Sequence, residues 1–173
     1  MSGRGAGEAE IGAFVRGVAD RVGAATVLLD AEIAGGAGEG REVRVVGSGG
    51  EPGGGPFDLV VALAPLGAGW EVYLGARAGL ARKAFVVVAD NAGRPGAGGS
   101  GPDTVAIAGV LWRAGRVREH VYLGVPRLVA PGPVRAPASR LVRWTAPCHA
   151  FVVDTAPRTP QARRRLRTVE RAD

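Results

Sequence analysis

The sequence predicts an α+β fold in which a small N-terminal lobe precedes a C-terminal lobe built on a mixed β-sheet. Three observations support this prediction: a helical apolar pattern opens the chain, short apolar runs typical of strands recur along it, and glycine- or proline-rich segments separate them. The 173 residues are 46% hydrophobic, which is enough to bury a core. The predicted division is an N-terminal α/β lobe over residues 1–66, a C-terminal domain over 67–157 and a basic tail over 158–173.

The N-terminal lobe is predicted to hold one helix followed by short strands. Apolar residues recur at helical spacing over residues 8–22, which indicates an amphipathic helix. Residues 25–29 form a short apolar run, and residues 41–46 alternate as in a half-exposed strand. A glycine-rich connection over 48–56 leads to the apolar run 57–64, which fits either a buried strand or a short core helix.

The C-terminal domain is predicted to contain one helix and four strands. The helix covers residues 70–82, and the buried run 84–89 follows as a strand. Residues 105–112 and 117–125 read as two strands joined by an Arg-Ala-Gly-Arg turn, which is a hairpin signal. The run 149–154 is predicted as the last strand.

The charge of the chain is strongly basic and is carried almost entirely by arginine. The net charge is +6, and Lys83 is the only lysine among 22 basic residues. Arginine binds phosphate through a planar fork, so this composition favours a nucleic acid or another polyanion as partner. A GC-rich genome would produce the same excess of arginine, glycine and alanine, so the composition alone leaves both explanations open.

The remaining composition excludes several classes of protein. A single cysteine, Cys148, excludes an internal disulfide and a cysteine-based zinc cluster, so neither a metal nor a cofactor is predicted. No run approaches the roughly 20 apolar residues that cross a bilayer. The first residues contain no apolar signal core, so we expect a cytoplasmic protein without membrane contact.

The glycine-rich segments do not form a nucleotide-binding motif. The segment Gly35-Gly36-Ala37-Gly38-Glu39-Gly40 does not follow the G-x-G-x-x-G pattern, and no G-K-[ST] sequence is present. We therefore expect these glycines to form loops.

One alternative interpretation concerns two acidic residues. The run from residue 57 to 88 resembles the strand–loop–helix–strand core of nucleoside 2-deoxyribosyltransferases, in which Asp58 would be the site acid and Glu71 the nucleophile. Glu71 would otherwise be an ordinary acid in the first turn of a helix. A Rossmann-like methyltransferase fits the same run, but its glycine motif after the first strand is missing.

A second resemblance covers residues 70 to 155. Glu71-Val72-Tyr73, Arg77 and Gly79 resemble a helix motif of archaeal tRNA-splicing endonuclease subunits, and the segment from Glu119-His120 to Val125 resembles the motif that opens a core strand of that family. The resemblance implies a nuclease-like topology for the C-terminal domain. It implies His120 as the catalytic histidine, but the lysine position falls near Ala150 and no tyrosine stands in residues 84–103.

A catalytic triad reduced to its histidine implies a non-catalytic, structural subunit. Its partners would be a catalytic endonuclease subunit and precursor tRNA. The subunit interface would include Asp103 together with the last strand, represented by His149, Phe151 and Val153. RNA contacts would come from Arg113, Arg116, Arg118, Arg140 and Arg143. A basic RNA-binding domain without chemistry is the third alternative.

Overall fold

The computed structural model describes residues 3–33, 36–47, 50–63, 68–90, 102–124 and 146–155. These residues form three helices and six strands. In chain order they are α1 (Gly3–Val22), β1 (Thr26–Leu29), β2 (Glu42–Val45), β3 (Phe57–Leu63), α2 (Trp70–Gly79), β4 (Ala81–Asp90), α3 (Thr104–Ala114), β5 (Arg116–Leu123) and β6 (Cys148–Asp154). Arg140, Arg143 and the basic tail 158–173 lie outside the described residues.

All six strands belong to one mixed sheet with the order β2-β1-β3-β4-β6-β5. Strands β2, β1, β3 and β4 pair in parallel, whereas β6 is antiparallel to both of its neighbours. The chain moves from β1 to one flank of the sheet and then returns to build the other flank from β3. The strand order therefore reverses between β1 and β3, and such a switch point leaves a crevice at the carboxyl ends of the parallel strands.

Helices cover both faces of this sheet. Helix α1 packs Val15 and Val18 against a core that includes Leu29 and Val61. Helices α2 and α3 cover the opposite face, where Leu74, Ile107 and Leu111 pack with Phe85. We call these the α1 face and the α2 face. The prediction of a mixed sheet with both α and β elements is confirmed, but the nuclease-like topology is not.

The largest error of the secondary-structure prediction concerns α3. Residues 105–112 were expected to form the first strand of a hairpin, but they are helical. Ile107, Val110 and Leu111 share one buried face at helical spacing. The Asp103 carboxylate accepts a hydrogen bond from the backbone N–H of Ala106 at 2.7 Å and caps the helix. The valines that suggested a strand therefore lie on a capped, mainly apolar helix.

The two ends of the sheet differ in how their strands are connected. Between β1 and β2 the described residues contain turns and no helix, whereas α2 connects β3 to β4. Strand β2 is exposed along its length, while β3 is buried. Strands from both sides of the predicted domain boundary at residues 66/67 join in the one sheet. No helix in the described part of the chain has the length and apolar character needed to span a membrane.

Candidate functional site

A cleft of roughly 480 Å³ opens on the α1 face at the carboxyl ends of the parallel strands. The segment after β1, the ends of β3 and β4, the start of β6 and the first turns of α1 form its walls. This place is the switch point of the sheet, where open α/β sheets bind their ligands. Its volume lies within the range of about 300–1,000 Å³ that is usual for small-molecule sites.

The cleft combines acidic groups with an apolar lining. Three carboxylic acids, Glu8, Glu32 and Asp90, line it, and none of the described lining residues is lysine, arginine or histidine. The apolar side chains that line it are those of Ile11, Ile33, Leu63 and Val88. A ligand that suits this cleft is therefore cationic or rich in hydroxyl groups and presents an apolar surface.

A hydrogen bond fixes the α1 wall of the cleft to the far end of β5. The Glu10 carboxylate accepts the backbone N–H of Gly124 at 2.7 Å. Gly124 has a φ of +79°, and a Cβ atom there would lie 2.5 Å from the ring of Pro147, which also lines the cleft. A glycine is therefore required at this position for α1, β5 and the start of β6 to meet.

Cys148 lines the cleft but does not provide a nucleophile. Burial raises the pKa of its thiol to about 11, and the charges of Asp90 and Glu10 raise it further in the same direction. The thiol stays protonated at neutral pH, and only the thiolate is an effective nucleophile. Its role in the cleft is that of a small apolar side chain.

On the α2 face, the carboxyl end of β1 is closed by a buried ion pair. Asp30 Oδ1 lies 3.0 Å from Arg77 Nε, and both side chains are almost completely buried. Arg77 also donates from Nη2 to the carbonyl of Gly50 at 3.1 Å, and the Tyr73 hydroxyl donates to the other oxygen of Asp30. A smaller cleft of roughly 420 Å³ lies beside Tyr73 and Arg77.

Burial dominates the titration of this cluster. It raises the pKa of Asp30 above its ordinary value, although the Tyr73 hydrogen bond and the Arg77 charge act in the opposite direction. Burial, together with the hydrogen bond to Asp30, raises the pKa of Tyr73 to about 12. The cluster joins β1, α2 and the segment after β2, so its groups are committed to holding the fold.

The segment after β1 offers no phosphate site among its described residues. It contains no helix whose N-terminus could bind an anion. Gly38, with a φ of +105°, is needed for packing, because a Cβ there would lie 2.1 Å from the guanidinium of Arg41. The expectation that these glycines form loops agrees with this geometry.

Asp58 and Glu71 do not come together. Asp58 lies at the amino end of β3, where it accepts the backbone N–H of Ala25 at 2.9 Å and pairs with Lys83 at 3.4 Å. The hydrogen bond from Ala25 is the main reason that the pKa of Asp58 is lowered. Glu71 lies in the exposed first turn of α2, which follows the opposite end of β3. The structure therefore gives these two acids no common site.

The other predicted site residues occupy separate places. Arg113 and Arg116 are exposed at the junction of α3 and β5, and Arg118 pairs with Asp154 at 2.7 Å. His149, Phe151 and Val153 are buried in β6, both edges of which are hydrogen-bonded to β4 and β5. A partner strand has no open edge of β6 to pair with.

The acids of the cleft were missed at the sequence level, although a signal for two of them exists. Asp90 follows a buried apolar strand directly, and Glu32 follows another by three residues. Acids just after two parallel strands meet at one edge of the sheet. The prediction treated β1 and β4 as parts of separate lobes, so the two positions were not connected.

The comparisons with known proteins identify the fold. No family model matches the sequence, and no curated protein matches it. Among solved structures, the magnesium protoporphyrin IX methyltransferase (ChlM) from Synechocystis PCC 6803 with bound SAM is similar at 10% identity and a TM-score of 0.52, covering 89% of this chain and 80% of that one. The chain has a methyltransferase-like α/β fold.

Two further structures are similar at lower scores. Cofactor-bound Rv0187 from MTB has 21% identity and a TM-score of 0.47, with 85% of this chain and 80% of that one covered. The complex between the Haloferax volcanii Trm112 methyltransferase activator and the putative methyltransferase has 12% identity and a TM-score of 0.47, with 86% and 96% covered.

The interpretation as a structural subunit of a tRNA-splicing endonuclease is wrong, and so are the catalytic-subunit and precursor-tRNA partners that it implied. The folds that resemble this chain are those of methyltransferases. The endonuclease motifs also lack their expected setting, because residues 105–112 form a helix and the Glu119-His120 segment lies on an edge strand. The deoxyribosyltransferase and simple RNA-binding alternatives are not supported by these folds either.

Proposed function

We propose that this protein is a methyltransferase that binds S-adenosylmethionine in the acidic cleft at the carboxyl edge of the sheet. The observation that carries this proposal is the position of the cleft, at the switch point of a fold shared with a methyltransferase that binds this cofactor. The proposal replaces the structural and nucleoside-processing roles considered above.

The chemistry of the cleft fits this cofactor better than a dinucleotide. S-adenosylmethionine carries a sulfonium cation, an ammonium group and a ribose diol, and it has no phosphate. Glu8, Glu32 and Asp90 provide carboxylates for the cationic and hydroxyl groups, and the segment after β1 lacks the helix N-terminus that a pyrophosphate needs. The fit therefore rests on charge and on the hydroxyl groups of the ligand.

Each cleft residue has a defined task in this proposal. Glu32 and Asp90, from opposite sides of the switch point, orient the polar groups of the cofactor, while Ile33 and Leu63 pack against its apolar surface. The cofactor supplies an electrophilic methyl group bound to a positively charged sulfur. Cys148 keeps its proton and therefore does not compete for that methyl group. The α1 wall, held by Glu10, limits the access of water.

Isothermal titration calorimetry of the full chain with S-adenosylmethionine tests the proposal. We expect saturable binding to one site, with affinity reduced about tenfold in Glu32→Gln and in Asp90→Asn, because each variant loses one charge-assisted contact. Glu42→Gln is the matched control, since Glu42 is an exposed acid on edge strand β2. An absence of binding by the folded wild-type protein at millimolar cofactor would overturn the proposal. Equal affinity in the cleft variants and the control would move the site elsewhere.

A further inference from the structure

The only two histidines of the chain meet on the sheet, although 29 residues separate them in sequence. His120 Nε2 lies 2.9 Å from His149 Nδ1. His120 belongs to edge strand β5 and His149 to the adjacent antiparallel strand β6. In the strand register His120 stands opposite Phe151 and Tyr122 stands opposite His149, so the two imidazoles are diagonal neighbours.

Aromatic packing holds both rings in place. The His120 ring stacks on Phe151 with a centroid distance of 4.3 Å and an interplanar angle of 7°, and Tyr122 lies against it at 5.0 Å. His149 is only 1% exposed, whereas His120 lies at the exposed edge of the sheet. One nitrogen is therefore fixed in the interior while the other side of the pair is accessible from solvent.

We infer that His120 and His149 form a binding site for one divalent transition-metal ion of the zinc, copper or nickel class. Imidazole nitrogens bind zinc at about 2.0–2.1 Å, so two of them in adjacent positions at a right angle lie about 2.9 Å apart. The observed separation of the two nitrogens has this value. The ion takes the place of the proton that the two nitrogens share, after a small rotation of the His120 ring.

The ionisation of His149 agrees with a role as ligand. Burial lowers its pKa to about 4, and the neighbouring His120 contributes to the same shift. Its ring is therefore neutral at physiological pH and needs to lose no proton to an incoming ion. Metal ligands must be deprotonated, and this requirement is already met.

Two protein ligands leave coordination positions open. Within the described residues no group of three or more histidine, cysteine or carboxylate side chains is placed to hold an ion. The remaining positions would be filled by water or by a small exogenous ligand, as in an open metal site. Imidazole ligands favour zinc, copper and nickel over magnesium and calcium, which prefer oxygen. The inference does not depend on the proposed methyltransferase activity.

Titration of the full chain with zinc chloride, and separately with nickel chloride, tests this site. We expect one ion per chain, with affinity at least tenfold weaker in His120→Ala and no competition from excess magnesium. Tyr122→Phe is the control, because it keeps both imidazoles and the aromatic packing. Unchanged affinity in His120→Ala, or no saturable binding at millimolar metal, would overturn the inference.

A second measurement avoids substitution of the buried His149, which could prevent folding. Electron paramagnetic resonance of the wild-type protein with one equivalent of copper(II) counts the bound nitrogens. Splitting from two imidazole nitrogens, lost in His120→Ala, is the expected result. A spectrum without nitrogen splitting in the wild type would contradict the site.

Discussion

The two faces of the sheet treat acids at the end of the same strand in opposite ways. On the α2 face, Asp30 is closed in by Arg77 and Tyr73 and is almost completely buried. On the α1 face, Glu32 lies two residues further along and faces a cleft lined by another acid, Asp90. The difference teaches that identical chemistry serves stability where a cation meets it and is available to a ligand where none does.

The largest expected effect is the loss of the closed cluster on the α2 face. Arg77→Met leaves the Asp30 carboxylate buried without its cation, which costs about 3–5 kcal/mol of the free energy of unfolding. Urea unfolding followed by circular dichroism measures this change. If the variant is as stable as the wild type, Asp30 is protonated in the folded protein and the ion pair is not what closes this side.

The α2 face also holds a histidine that resists protonation. The folded pKa of His149 is about 4, below the ordinary value of 6.5, so the unfolded chain binds the proton more readily. Stability from this group is fully present above pH 6.5 and is lost as the pH falls towards 4, by about 3 kcal/mol in total. Proton NMR of the His120→Ala variant isolates the His149 imidazole. Titration of this signal near pH 6.5 would contradict the prediction.

On the α1 face, the cleft is open but its thiol is unreactive. With a pKa of about 11 instead of the ordinary 9.0, Cys148 reacts with iodoacetamide at pH 8 about 100-fold more slowly than an unperturbed thiol. Mass spectrometry follows the alkylation. Asp90→Asn removes one of the charges that raise this pKa and should accelerate the reaction. A rate equal to that of the urea-unfolded chain would show that the acids and burial do not protect the thiol.

The smallest effect is expected at the opposite, amino edge of the sheet. Arg118 pairs with Asp154 at 2.7 Å, but the arginine side chain is 61% exposed. Arg118→Met should cost less than about 1 kcal/mol in urea unfolding, because water screens exposed ion pairs. A loss as large as that of Arg77→Met would mean that burial does not separate structural pairs from surface pairs in this protein.

The prediction of individual elements succeeded where the signal is local. The helical spacing of residues 8–22 and the apolar runs in β1, β3, β4 and β6 correspond to elements of the structure. It failed for α3, where alternating valines hid a helical apolar face. Apolar residues can satisfy both periodicities over so short a run, and only the packing of Ile107 and Leu111 on the sheet selects one.

The candidate site could not be predicted in the same way. His120 and His149 were each singled out in the sequence, but nothing in it indicated that they touch. Glu32 and Asp90 were not singled out, since exposed acids after strands are common. Strand order and direction decide both cases, and these depend on contacts between residues far apart in the chain.

The sequence by itself determined which segments are apolar enough to form strands, the basic arginine-rich charge, and the single thiol of the chain. Only the tertiary structure decided that β1 and β3 lie side by side in parallel, that Asp30 is buried against Arg77 and that Glu32 faces a cleft. The physical reason is that burial of apolar surface is a local tendency of each segment, whereas the neighbours of a charge are set by how all the segments pack together.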